Sequence, residues 1–330
     1  WGAILHYDGS EWARMDNDIH SGFVAGVWGG SSSDVYAVGE WGAILHYDGS
    51  EWVRMDSGVD GALFGVWGSS GADPGPPDVF AVGSGGTILH YNGSSWSSMS
   101  SGTGDHLSGV WGSSDSDVYA VGDNGTILHY DGSSWSSMTS GTSAWLRGVW
   151  GSSGSDVYAV GDHGTILHYD GVAWSLTSSG TAENLEAVWG SSGADVYAVG
   201  SSGTIVHYDG TEWSPMTSGT TEWLRGVWGS SGTDVYAVGT DGTILHYNGT
   251  AWSEVTSNTP KRLAGVWGSA STDVFAVGDA GEIVHYDGVA WSAMSSGTTQ
   301  RLRGVWGSAS TDVYAVGEIG TILHYNGTAW

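Results

Sequence analysis

The chain lacks cysteine altogether, which excludes disulfides and thiolate metal sites and is compatible with an oxidising, secreted setting. Positive charge is nearly as scarce. Eight lysines and arginines face 35 aspartates and glutamates, for a net charge of −27 over 330 residues. That balance excludes a basic footprint for nucleic acid, and equally an anionic membrane surface as partner. No apolar run approaches the roughly 18 residues that a membrane-spanning helix needs. No secretory signal peptide is visible within these residues, and no stretch carries a helical period. The chain starts at Trp1 and stops at Trp330, each inside a repeated motif, which predicts that both ends were cut from a longer protein.

What is abundant is repetition. The hexapeptide Ile-(Leu/Val)-His-Tyr-(Asp/Asn)-Gly recurs around His6, His46, His90, His129, His168, His207, His246, His285 and His324. Most steps are 39 residues, as from His129 to His168. A fixed period of this size identifies a repeat array that forms one object regardless of length. The unit from 107 to 138 reads LSGVWG, DVYAVG, GTILHY and WSSM, separated by Gly, Ser and Asp. DVYAVG is apolar on both alternating faces, as a strand buried on both sides must be. Asp-Gly or Asn-Gly between the third and fourth strands is a strong hairpin signal.

Four short strands per repeat predict an all-β fold, a β-propeller of four-stranded blades. An open solenoid is the alternative, but its coils are usually shorter and need no pair of hairpin turns. Eight VWG-to-DVYAVG halves and nine ILHYDG halves predict eight blades in a single domain over 1–330, with nine blades or a longer array as alternatives. Residues 1–12 repeat 41–52 letter for letter and are expected to be a surplus half repeat or ring-closing strands. One unit carries an insertion, GADPGPPD at 71–78, whose prolines suit a loop and whose irregularity marks a natural gene rather than a consensus design.

DVYAVG, then GTIL, then Asp131-Gly132-x-x-Trp135 resembles the sialidase-like propellers with Asp-box (bacterial neuraminidase) repeats, and is most similar to their non-enzymatic, photosystem II assembly factor-like branch. The resemblance spans essentially the whole chain and implies a propeller in which the box is a structural turn. The box is degenerate: His129 stands near the family's serine, and the second glycine and the threonine are mostly lost.

The copies test one another. The turn aspartate of Asp48, Asp131, Asp170, Asp209 and Asp287 is asparagine at 92, 248 and 326. Asparagine keeps the turn hydrogen bonds but loses the charge that a calcium ligand or general acid needs, so this residue makes a turn. Tyr119 becomes Phe80 and Phe275 in two copies, so the ring is expected to be packing. The aspartate before strand two, Asp117 and its equivalents, reads as a turn carboxylate rather than an ion site. One histidine per blade reads as a hydrogen-bonded strand residue, since zinc needs three or four clustered ligands. The sequence calls for no cofactor and no metal.

Alternating strand directions send the one-to-two and three-to-four turns to one face, and the two-to-three and four-to-one loops to the other. The first face reuses small residues. The second varies, and its exposed aromatic and charged residues suit a recognition surface: Trp41, His106, Trp145, His163, Glu183, Trp223, Arg262 and Arg301. Arg147, Arg225 and Arg303 occupy equal positions in alternate blades; ion pairing with neighbours is expected there rather than a carboxylate clamp. The reading is a non-enzymatic, extracellular or cell-surface scaffold for recognition or adhesion, binding a glycan or protein through the loop face, where repeated weak sites would gain avidity. A structural or fibre-forming protein that self-associates is the alternative. A sialidase-like hydrolase lacks a nucleophile, base and clamp within reach.

Overall fold

The computed structural model describes residues 4–7, 12–15, 22–69 and 77–330. Eight antiparallel blades stand side by side in a closed ring, each with its LxGVWG strand innermost. Seven blades are four-stranded sheets in sequence order, from 24–55 to 263–294. The eighth joins Leu302–Ala309, Asp312–Gly317 and Ile322–Tyr325, then continues into Ile4–Tyr7 and Trp12–Met15. Ile4–Tyr7 runs parallel to Ile322–Tyr325, whereas the pairings within the other blades are antiparallel. The expectation for residues 1–12 falls largely outside the described residues, and so does most of the GADPGPPD insertion.

The second strand explains the core. In DVYAVG every residue after the aspartate is buried, because both faces of the blade are covered by neighbours. Each core cluster straddles two blades: Tyr119, Val121 and Ile127 of one blade pack with Leu146, Val157, Ala159, Leu167 and Trp174 of the next. The glycine of VWG makes that approach possible. A Cβ on Gly112 would sit 2.6 Å from the indole of Trp67 in the preceding blade, so the Trp can lie flat over the next inner strand only where no side chain exists. Trp306 covers Gly29 in the same way, and this contact between the eighth blade and the first closes the ring.

Histidine and aspartate, twelve residues apart, meet in every blade. His129 Nε2 and Asp117 Oδ1 lie 2.7 Å apart, and the other seven pairs lie at 2.7–2.8 Å. The imidazole stacks on the strand-two ring, at 4.6 Å on Tyr119 and at 4.6 Å on Phe80. Ser113 Oγ donates to the second oxygen of Asp117. The pair therefore staples the turn before strand two to strand three. Among the described residues no group of three metal-capable side chains comes together.

The tyrosine is more than packing. Tyr119, Tyr158 and Tyr197 donate their hydroxyls to Gly154, Gly193 and Gly232 carbonyls of the following blade at 2.8–2.9 Å. Burial, and then the neighbouring aspartate, push these phenols far above their usual range, so they remain donors. Phe80 and Phe275 keep the ring and forgo that bond.

Candidate interaction face

The two kinds of variable loop share one face and touch each other. The Gly85 amide donates to His106 Nδ1 at 3.0 Å, the His163 amide to Asn184 Oδ1 at 2.9 Å, and Ser201 Oγ to Glu183 Oε2 at 2.8 Å. Each two-to-three turn ends on a glycine in the left-handed region. Gly125 has φ 71° and a Cβ there would meet the Thr142 carbonyl at 2.1 Å. The residue before it is also left-handed, yet its identity changes freely: Trp41, Gly85, Asn124, His163, Ser202, Asp241, Ala280 and Ile319. Left-handed backbone resists side chains other than Gly, Asn and Asp. Trp41 and Ile319 are therefore displayed at a conformational cost.

A second device points outward on this face. In each inner strand the register slips across the LxG motif, as between Leu146 and Gly148, and equally where the motif reads Val24-x-Gly26 or Leu185-x-Ala187. The residue x is the extra member of a β-bulge, a feature that re-aims side chains. Around the ring this position holds Ala25, Phe64, Ser108, Arg147, Glu186, Arg225, Ala264 and Arg303. Variability here was visible in the sequence, but the bulge that lets x reach the loop residues, as Arg147 reaches Asp162 and Arg303 reaches Glu318, was not.

Ion pairs join these residues to the loops. Glu186 stands between Arg147 and Arg225, at 3.6 and 3.7 Å, and Arg147 Nε also donates to Asp162. Arg262 and Arg301 share Asp279 at 2.9 and 2.8 Å. Arg303 donates to Glu318 at 3.0 Å and lies 4.4 Å over the ring of Phe23. Lys261 pairs with Glu282 at 2.7 Å. The expectation of neighbour pairing therefore holds. Even so, six of the chain's eight basic residues are on this one face. Arg225 feels the crowding: burial, against the attraction of Glu186, and repulsion from Arg262, Arg147 and Arg301 hold its guanidinium below the usual range.

The aromatic residues divide. Trp41 and Trp145 are 63% and 52% exposed. Trp223 is half-buried, with the Arg225 guanidinium 3.7 Å over its ring, so it buttresses the arginine rather than standing free. His106 is exposed and edge-on to Phe64 at 6.1 Å; His163 and Glu183 are exposed. Arg262 and Arg301 come together through Asp279, and Trp223 joins the same sector through Arg225. Trp41, His106 and Glu183 stand on other junctions of the ring.

No protein-family model matches the chain, and no curated protein matches it. Its similarities are to solved propellers. One is YCF48 bound to a D1 peptide, at 16% identity and a TM-score of 0.62, covering 86% of this chain and 97% of that one. Another is Sqt1 of Chaetomium thermophilum bound to the N-terminus of ribosomal protein L10, at 13% identity and 0.73, covering 94% and 98%. A third is the computationally designed Ika8 protein, at 15% and 0.79, covering 94% and 98%. At such identities the likeness is one of fold: the chain is an eight-bladed β-propeller.

Proposed function

We propose that this propeller is a non-enzymatic recognition scaffold that holds a partner protein on its loop face, by an acidic segment laid across the channel mouth. One observation carries the reading: a chain with net charge −27 gathers Arg147, Arg225, Lys261, Arg262, Arg301 and Arg303 on one face. Asp162, Glu186, Asp279, Glu282 and Glu318 share the face with them, so the attraction is local. Arg225, half-buried beside Arg147, Arg262 and Arg301 with only Glu186 at 3.7 Å as counter-charge among the described residues, is the guanidinium that a partner's carboxylate would relieve. Exposed Trp145, next to Arg147, supplies an aromatic anchor of the kind that dominates binding patches. Two of the similar propellers are captured with peptide or terminal segments of other proteins, which supports the same mode here. A glycan on this face is the second reading, favoured by the exposed rings of Trp41 and Trp145. The degenerate Asp-box reading of Asp131-Gly132-x-x-Trp135 and an extracellular or cell-surface location complete the proposal.

Selection of a displayed random-peptide library on the purified protein tests it. Enriched peptides should be rich in Asp and Glu, lose affinity with added salt, and bind at least tenfold more weakly to Arg225→Glu/Arg262→Glu. Enrichment without acidic bias, or binding indifferent to both substitutions, would refute it.

A further inference from the structure

All six methionines of the chain occupy one position, the fourth residue of the outer strand in the unit Trp-x-x-Met: Met15, Met55, Met99, Met138, Met216 and Met294. Four of them fill the junction between neighbouring blades, where the sulfur accepts the indole N–H of the next blade's outer tryptophan. Trp96 donates to Met55 at 3.2 Å, and Trp174, Trp252 and Trp330 donate to Met138, Met216 and Met294 at 3.3 Å. Two blades break the rule, with Thr177 and Val255.

At both exceptions a cleft opens on the outer rim. Beside Val255 it measures about 330 Å³ and is walled by Tyr236, His246, Tyr286 and Trp291. Beside Thr177 it measures about 390 Å³, within the range of small-ligand sites, and its walls include His168, Tyr208, Glu212 and Trp213. Of the two, the second holds a buried side-chain donor without a partner among the described residues, Trp213 Nε1. Trp135 Nε1 is likewise unpartnered, but there Met99 still packs into the same cluster. By the geometry of the sister junctions, the Trp213 N–H faces the place of residue 177, where Thr177 forms part of the cleft wall.

We propose that the cleft between the fourth and fifth blades binds one neutral pyranose ring, the terminal sugar of a glycan. The sugar's apolar face packs on the rings of Tyr208, Trp213 and His168. One of its oxygens accepts the Trp213 indole N–H. Thr177, whose hydroxyl donates to the Ile166 carbonyl at 3.4 Å, accepts from a sugar hydroxyl, and the Glu212 carboxylate accepts from another. Glu212 and Asp156, the partner of His168, repel an anion and so reject an acidic sugar. The indole N–H, a donor only, is satisfied by a sugar oxygen and not by an ammonium ligand, which only Glu212 and the ring faces would attract. Sequence differences alone flagged the loop face for a glycan; this rim site is separate from it and stands or falls independently of the acidic-peptide reading.

The test uses protein labelled with ¹⁵N-tryptophan, with the Trp213 indole resonance assigned by its loss in Trp213→Phe. The methyl glycosides of glucose, galactose, mannose, N-acetylglucosamine and fucose are titrated separately. At least one should shift the Trp213 signal saturably. Thr177→Met, which restores the repeat's own residue and leaves the other indole signals in place, should weaken that binding at least tenfold. Met138→Thr should create a second response at Trp174. No shift with any glycoside, binding that survives Thr177→Met, or a shift with tetramethylammonium in place of the sugars would overturn the proposal. Peptide binding at the loop face should be unchanged by Thr177→Met.

Discussion

The two faces of the ring are built from the same strands yet obey different rules. On the face of the one-to-two and three-to-four turns, every blade pairs its aspartate with its histidine, as Asp117 with His129. Every blade there also has an Asp or Asn side chain that accepts two backbone amides, as Asp131 does from Ser133 and Ser134 at 2.9 Å. Six blades add a serine such as Ser113 on the paired aspartate. On the loop face the frame repeats, a bulge and a left-handed turn, while the side chains it carries do not. The difference teaches where the fold constrains chemistry. Where a side chain closes a buried backbone connection, exchange is costly; where the backbone closes itself, the side chain is free to serve a partner.

Substitutions can break that contrast. The largest effect is expected from Asp117→Ala, which leaves half-buried His129 and exposed Ser113 without their acceptor; urea unfolding should show a loss of about 2 kcal/mol. A loss below a few tenths would mean the pairs are decorative. Ile319→Gly should act in the opposite direction. It relieves a β-branched residue at φ 54° and should stabilise by about 1 kcal/mol, raising the melting temperature. Trp145→Ala, half-exposed on the variable face, should alter stability by no more than about 0.5 kcal/mol in the same assay while weakening partner binding.

The smallest effect concerns pH. Asp48, Asp131 and Asp209 are held at about 2 by hydrogen bonds, first from the side chains of Ser50, Ser133 and Thr211 and then from backbone amides. A carboxyl whose pKa is lower in the folded chain stabilises it above the ordinary value of 3.8, and that stability is lost as pH falls toward 2. Asn92, Asn248 and Asn326 make the same turn without the charge. Combined Asp48→Asn, Asp131→Asn and Asp209→Asn should therefore flatten the acid limb of a pH–stability profile between about pH 4 and 2, and leave stability near neutrality unchanged.

Much of this was legible in the chain. The period, the turn residues and the doubly apolar DVYAVG strand announced blades, because each obeys local rules of strand and turn. The Asp-to-Asn exchanges rightly reduced the turn aspartate to a structural role. Less legible was the fate of Tyr119: its Phe counterparts suggested a dispensable hydroxyl, yet it bonds to a carbonyl 35 residues away in the next blade. Trp223 and Trp145 look alike as loop residues, but only the course of the neighbouring strand makes one a buttress for Arg225 and leaves the other exposed.

The sequence by itself determined the repeating blade and the face on which variety collects, since strand alternation and turn chemistry act over a few residues. Only the tertiary structure decided which residues meet across blades: the ring closed by Trp306 on Gly29, the arginines drawn around Glu186, and the opening left where Thr177 replaces methionine. Those meetings depend on how one blade packs against the next, and the packing of surfaces some 39 residues apart is written in no local pattern.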